Sequence, residues 1–244
     1  MKVLVLTAGM GRRINKKNLI KTPKSLIKFS HLNILEYQLN MYQEVGLSKK
    51  DIYLVTGFKN HLFERYRCNT IYNSHFKKTH QVFSFLCAQE TLGKYEDWII
   101  VYGDVVFDKS LLVDLINDNN DFVVPHFTNW KNIWEQRGDT EFNDVESFQF
   151  DNTNIIREIG LKNWKRMPMG QYMGIFSLKN MEALRLINYI KTIYSDQIYQ
   201  LEMTNLINQY SSKKDILTFP YSGHFYELDN KVDLEILKKW AKKK

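Results

Sequence analysis

The sequence has two cysteines, Cys68 and Cys87, with no CxxC spacing and no Cys/His cluster beside either. This excludes a cysteine zinc site and leaves buried free thiols as the expectation. Long hydrophobic runs are also missing: no stretch reaches the roughly 18–20 apolar residues of a membrane helix. The apolar start, Met1–Leu6, is too short for a signal peptide, and Arg12 and Arg13 stand on its wrong side. A cytoplasmic protein without membrane contact is expected. None of the six histidines stands in a catalytic motif, and no Ser/His/Asp or Cys/His set points to a covalent nucleophile. There are no repeats, no low-complexity segments and no linker.

The 244 residues are 44% hydrophobic and 25% charged, an ordinary balance for one globular domain with a full core. The net charge of +7 is carried mostly by lysine and suits nucleic acid, an anionic surface or an anionic small substrate. No RNP, KH, zinc-finger or helix-turn-helix signature is present, and no arginine-rich stripe, so nucleic acid is not the expected partner. The C-terminal lysines read as a helix end whose cations complement the helix dipole.

Residues 2–7 (KVLVLT) predict a buried parallel strand, followed by a glycine turn and a basic loop over 9–24. Apolar positions at helical spacing predict a helix over 34–46 with Gly46 near its C-cap. Residues 51–57 and 98–102 predict further strands, and 60–66 and 80–92 helices. In the second half, strands are expected at 121–125, 173–178 and 216–219, a hairpin at 148–159, and helices at 180–194, 198–209 and after Asp229. Residues 128–147 read as polar and aromatic, with Trp130, Trp134 and Arg137, the two tryptophans at i,i+4 spacing. The βαβαβ rhythm implies a mostly parallel sheet with right-handed crossovers, and such sheets bind ligands at the carboxyl ends of their strands.

Three constellations fall at those ends. The first is Leu6-Thr7-Ala8-Gly9-Met10-Gly11-Arg12-Arg13 with Thr22-Pro23-Lys24. Glycines let backbone N–H groups approach phosphate oxygens, and Arg13 and Lys24 add neutralising charge. The GK[ST] ending of a Walker loop is absent. The second is Gly103-Asp104, a hard carboxylate after an apolar strand, which suits magnesium or, alternatively, a turn or helix cap. The third is Glu227-Leu228-Asp229, where Asp229 is either a second carboxylate for the same ion or the N-cap of the last helix.

The run LTAGMGRR…TPKSLIKF…NILEYQL resembles the opening of the nucleotidyltransferase superfamily that makes activated sugars and alcohols. The likeness continues through Val101-Tyr102-Gly103-Asp104 and Glu227-Leu228-Asp229 with Val232-Asp233-Leu234. The segments Trp130-x3-Trp134-x2-Arg137, Asp144-x-Glu146-x-Phe148, Glu158-Ile159-Gly160-x-Lys162, Gly170–Gly174 and Glu202-Met203-Thr204 resemble one branch. Its members are cytidylyltransferases that activate phosphonates, phosphocholine-like acceptors and the phosphoramidate precursor of bacterial capsules.

The resemblance implies an α/β fold, a Rossmann-like mixed, mostly parallel sheet flanked by helices, with a small inserted acceptor lobe. It divides the single domain into a nucleotide half, about 1–125, and an acceptor half, about 126–244. It implies CTP and a small phosphorylated acceptor as substrates and Mg2+ as cofactor, held by Asp104 and Asp229. Leu6, Ala8, Gly9, Met10, Gly11, Arg13, Lys24, Gln81, Ser84 and Gly103 would bind the nucleotide, with Thr79–Ser84 near the pyrimidine. Arg13, Lys24 and Lys162 would serve the transfer itself. Arg137, Glu146, Lys162, Gln171, Tyr172 and Glu202 would shape the acceptor pocket. Plain packing and ion pairing compete for the last group, Arg137 with Glu146 among them. His80 and Glu202 depart from the TN and DMT of many relatives. Two rival functions remain in view: a sugar-1-phosphate nucleotidyltransferase, and a nucleotide sensor on the same fold, which would lack one of the two aspartates.

Overall fold

The computed structural model describes residues 1–11, 14, 22–93, 96–139, 142–193 and 198–242. In the first half, β1 (Lys2–Leu6), α1 (Ile34–Glu44), β2 (Ile52–Thr56), β3 (Asn69–Tyr72), α2 (Gln81–Cys87), α3 (Gln89–Leu92), β4 (Trp98–Tyr102), β5 (Val105–Phe107), α4 (Lys109–Asn117) and β6 (Phe122–Val123) follow in order. The second half adds β7 (His126–Phe127), α5 (Trp130–Gln136), β8 (Phe148–Phe150), β9 (Ile156–Ile159), β10 (Gln171–Tyr172), β11 (Ile175–Leu178), α6 (Glu182–Ile193), α7 (Met203–Tyr210), β12 (Pro220–Tyr221), β13 (Phe225–Glu227) and α8 (Lys231–Ala241).

The main sheet runs β3-β2-β1-β4-β11-β6. Its first four strands are parallel, and β11 lies antiparallel between β4 and β6. The sequence of β1 explains why it is central. Val3 and Val5 face one core with Leu35, Leu39 and Leu111, while Leu4 and Leu6 face another with Val82, Phe85, Leu186 and Ile207. Strand alternation thus buries both faces, and helices α1 and α4 cover one side while α2, α3, α6 and α7 cover the other.

Several expectations need correction. Residues 128–147 contain a helix, α5, whose Trp130 and Ile133 are buried at helical spacing. The helix over 60–66 is 3-10, and that over 80–92 breaks at Ala88. The strand at 216–219 reduces to isolated bridges of Leu217 with Val123 and Ile155. Cys68 and Cys87 are free but only half-buried. No helix among the described residues is long and apolar enough to cross a membrane.

Beside the main sheet lie a three-stranded sheet, β10-β7-β12, and the hairpin β8-β9. His126 on β7 is buried there against Phe148 and Phe150, with Nδ1 2.7 Å from Thr218 Oγ1. Burial pushes its pKa down to about 4. The unfolded chain, titrating near 6.5, then takes up a proton that the folded chain refuses until about pH 4. Stability is therefore full above pH 6.5 and falls as the pH drops through that window. Between pH 7 and pH 5 the loss attributable to His126 is about 2 kcal/mol. Urea midpoints should show this difference in the native protein and lose it in His126→Phe; an equal pH dependence in both would refute the assignment.

Candidate active site

The cleft forms where β1 and β4 end. Thr7 holds the start of the glycine loop against β2: its N–H and its hydroxyl both donate to the Val55 carbonyl, at 2.9 and 2.8 Å. Gly11 has a φ of 60°, the left-handed region that glycine enters without steric cost. Leu6, Ala8 and Gly9 line the cleft, and Met10 and Gly11 line an adjoining opening beside Lys77 and Lys78. Arg13, expected to hold phosphate, lies outside the described residues.

Lys24 starts a single 3-10 turn locked by Leu26 N–H to Pro23 O at 2.9 Å and Ile27 N–H to Lys24 O at 3.0 Å. Leu26 packs into the core beneath, so the lysine is aimed by a fixed base. Gly103 lies where the glycine loop and the Lys24 turn meet. A Cβ there would stand 2.6 Å from Thr7 Cγ2 and 3.3 Å from Ser25 Cβ, so only glycine lets the three segments close.

Asp104 and Asp229 meet through a short ladder. The β5 strand that follows Asp104 pairs antiparallel with β13, and Leu228 N–H donates to the Asp104 carbonyl at 2.8 Å. The N-cap of α8 is Asn230, not Asp229, so the Asp229 carboxylate is not spent on capping. Lys24 Nζ lies 3.0 Å from Asp104 Oδ2 and 2.8 Å from Asp229 Oδ1. Burial alone would lower the Lys24 pKa, but Asp104, Asp229 and Glu227 outweigh it and hold it above its ordinary value. Glu227 is moved the other way. Burial and the neighbouring Asp104 charge lift it to about 7, against the pull of Lys24 and Arg137.

Two carboxylates converging on one cation point offer the hard oxygen donors that magnesium prefers. Among the described residues there is no group of three His, Cys, Asp or Glu side chains placed to hold a metal. A metal here would take its remaining oxygens from water and substrate phosphate, as magnesium usually does.

Opposite the carboxylates, α2 supplies Gln81 and Ser84 to the cleft. Ser84 Oγ accepts from Asn73 Nδ2 at 3.1 Å, while Gln81 Oε1 is buried with no partner. Asn73, Phe76 and Tyr102 also line the cleft and were not anticipated. Asn73 follows β3, and its Nδ2 also reaches Thr79 Oγ1 at 3.0 Å, pinning the loop before α2. The short strand before it, β3, was not among the expected elements, so no sequence signal pointed to Asn73.

The acceptor-side residues divide. Tyr172 packs edge-on against Tyr102, ring centroids 5.9 Å apart, with its hydroxyl buried. Glu146 is lifted above the usual carboxylate range by burial and by the charge of Glu202, against bonds from Thr204 and the charge of Lys162. Lys162 is exposed. Glu202 lies 3.7 Å from Nδ1 of His80, a residue of the cleft lining. Gln171 Oε1 accepts from Trp134 Nε1 at 2.9 Å. Arg137 is ion-paired, with Asp233 rather than Glu146, and its guanidinium stacks on Trp134.

A family model for the MobA-like NTP transferase domain matches residues 3–140. The CTP:phosphoglutamine cytidylyltransferase of Campylobacter jejuni is 25% identical over 97% of this chain and 98% of its own. The choline-phosphate cytidylyltransferase of Haemophilus influenzae is 24% identical over 83% of this chain and 92% of its own. Among solved structures, a CTP:phosphocholine cytidylyltransferase from Streptococcus pneumoniae superposes with a TM-score of 0.73 at 17% identity, covering 98% of both chains. An inositol-1-phosphate CTP transferase from T. maritima does so at 0.74 and 15% identity, covering 98% of this chain and 95% of its own. At those identities the structural likeness speaks for the fold, a mixed, mostly parallel sheet between helices.

Proposed function

The chain belongs to the MobA-like NTP transferase domain family, and on that premise we propose that it transfers CMP from CTP to a small phosphorylated acceptor, releasing pyrophosphate. L-glutamine phosphate, a capsule phosphoramidate precursor, is the acceptor we favour. One observation carries the catalytic part: the ammonium of Lys24 sits between the carboxylates of Asp104 and Asp229 at the mouth of a glycine-lined cleft. A nucleotide sensor has no need for that arrangement. The acceptor rests on the relative that matches this chain nearly end to end.

The acceptor's phosphate oxygen is anionic near neutral pH and needs no strong base. It attacks the α-phosphorus in line, the bond to the β-phosphate oxygen breaks, and pyrophosphate leaves. The work of the chain is to bring two polyanions together. Backbone N–H groups of Ala8–Gly11 face the triphosphate, with Arg13 in the same loop. Lys24 turns from the carboxylates to the phosphates and stabilises charge on the equatorial oxygens, and Lys162 meets the acceptor phosphate. Asp104 and Asp229 would hold Mg2+, which when bound neutralises triphosphate charge and orients it. The orphan Gln81 Oε1 is a ready acceptor for an exocyclic amine, which cytosine has and uracil lacks. The Glu146 carboxylate, near both Glu202 and Tyr172, suits an acceptor carrying an ammonium, and this is also what favours phosphocholine as a second reading.

Pyrophosphate release with Mg2+ across four NTPs and phosphoglutamine, phosphocholine, aminoethylphosphonate and glucose-1-phosphate tests the proposal. Release with CTP and phosphoglutamine alone is expected. Release with phosphocholine instead would move the acceptor assignment. Release with UTP or dTTP and glucose-1-phosphate would overturn the cytidylyl assignment.

A further inference from the structure

Behind Asp229 lies a buried ion pair that the chemistry above does not use. Arg137 Nε and Asp233 Oδ1 are 2.7 Å apart, with side chains 10% and 2% exposed. They meet as charges, without the alignment of a hydrogen bond. The other oxygen, Asp233 Oδ2, accepts from Asp229 N–H and Asn230 N–H, both at 2.8 Å. Arg137 Nη2 donates to the Glu227 carbonyl at 3.0 Å. With Leu228 N–H on the Asp104 carbonyl, residues 227, 228 and 229 are each tied by a bond from outside their own segment.

We propose that the Arg137–Asp233 pair is a positioning device that fixes the Asp229 carboxylate by holding its backbone. The proposal rests on Asp229 as a metal ligand. A helix cap by itself explains Asp233 but not the arginine, since capping carboxylates work at solvent-exposed helix starts. Arg137 leaves α5 at its C-terminal end, where the ring of Trp134 carries the guanidinium at 4.8 Å. Trp134 in turn donates to Gln171 on β10. An unbroken line therefore runs from the acceptor-side strand, through Trp134, Arg137 and Asp233, to the backbone of Asp229. Turning Arg137 towards an acceptor would strand the Asp233 charge in a dry pocket, a costly alternative. Arg137 is accordingly a positioning residue, and its place at the end of α5 is what lets that helix align the carboxylate.

Mn2+ binding followed by EPR titration of the full chain tests this, with Arg137→Lys, Arg137→Met, Asp233→Asn and Asp229→Asn beside the native protein. Arg137→Met and Asp233→Asn should each weaken Mn2+ binding about tenfold, the scale for losing a partner behind a metal ligand. Arg137→Lys, which keeps the charge beside Asp233, should recover it to within about threefold of native. Should Arg137→Met fail to fold by circular dichroism, Arg137→Lys against Asp233→Asn carries the same comparison. Native Mn2+ affinity in Arg137→Met or Asp233→Asn, with affinity lost in Asp229→Asn, overturns the positioning role alone. Native affinity in Asp229→Asn overturns the metal assignment beneath it.

Discussion

Replacing Lys24 by alanine is expected to lower kcat/KM for pyrophosphate release by at least about 10²-fold, the scale for losing a key electrostatic donor at a transition state. Its position gives the substitution a second signature. Lys24 is the cation that keeps Asp104 and Asp229 apart at 3.0 and 2.8 Å from its Nζ, with Glu227 close enough to raise its pKa further. Without it, carboxylates of like charge face one another across a half-buried cleft. Breaking a fully buried pair costs about 3–5 kcal/mol, and the solvent that reaches this cleft reduces the loss to about 1–3 kcal/mol. On the proposed metal site, added Mg2+ would take the vacated cation point and stabilise by mass action. The Tm of Lys24→Ala should therefore rise more on adding Mg2+ than that of the native protein. Turnover near the native value would remove Lys24 from the mechanism, and equal Mg2+ shifts would remove the carboxylates' claim on the metal.

Asp104→Asn should leave no detectable magnesium-dependent turnover while the fold persists. Asparagine keeps the size and the backbone carbonyl that receives Leu228 N–H, so the ladder between β5 and β13 survives. It removes one of the two charges that meet at Lys24. A neutral amide is a poor magnesium donor beside a carboxylate, and the triphosphate charge would be left without its counterweight. Steady-state turnover, with circular dichroism and thermal melting as controls, decides the matter. A folded and active variant would show that Asp104 is not needed.

The parts of the fold that the sequence made legible are those where one local pattern has one structural meaning. The alternating Val3-Leu4-Val5-Leu6 run is a strand buried on both faces, and the spacing from Ile34 to Tyr42 gives α1 its buried side. The helix α4 carried the same kind of signal, in Leu111, Leu112 and Leu115, and went unread. In α5 the two tryptophans stand at helical spacing, but the polar residues between them mask how short the apolar face of Trp130 and Ile133 is. The site was harder. Composition and position point to Lys24 and to Asp104 singly and leave Asp229 as either a second carboxylate or a helix cap, and the resemblance favours the first. No local pattern announces that β5 and β13, three residues each, would pair and bring the two aspartates to one ammonium. Arg137 was legible as a polar residue with a task, but its partner Asp233 is distant in sequence, and partners of that kind leave no periodicity to read.

The contact between Lys24 and Asp229 spans 205 positions of the chain. Translation adds residues at roughly 5–20 per second, so ten seconds or more separate the making of the two partners. The residues that line the cleft, from Leu6 to Asp104, all lie in the first half of the chain, most of them in the segments that follow β1, β3 and β4. The second carboxylate and the β13 strand that aligns it arrive late. A nascent chain can therefore complete the lining of the cleft long before its second carboxylate, and the ladder between β5 and β13 is the late contact that brings Asp229 to Lys24.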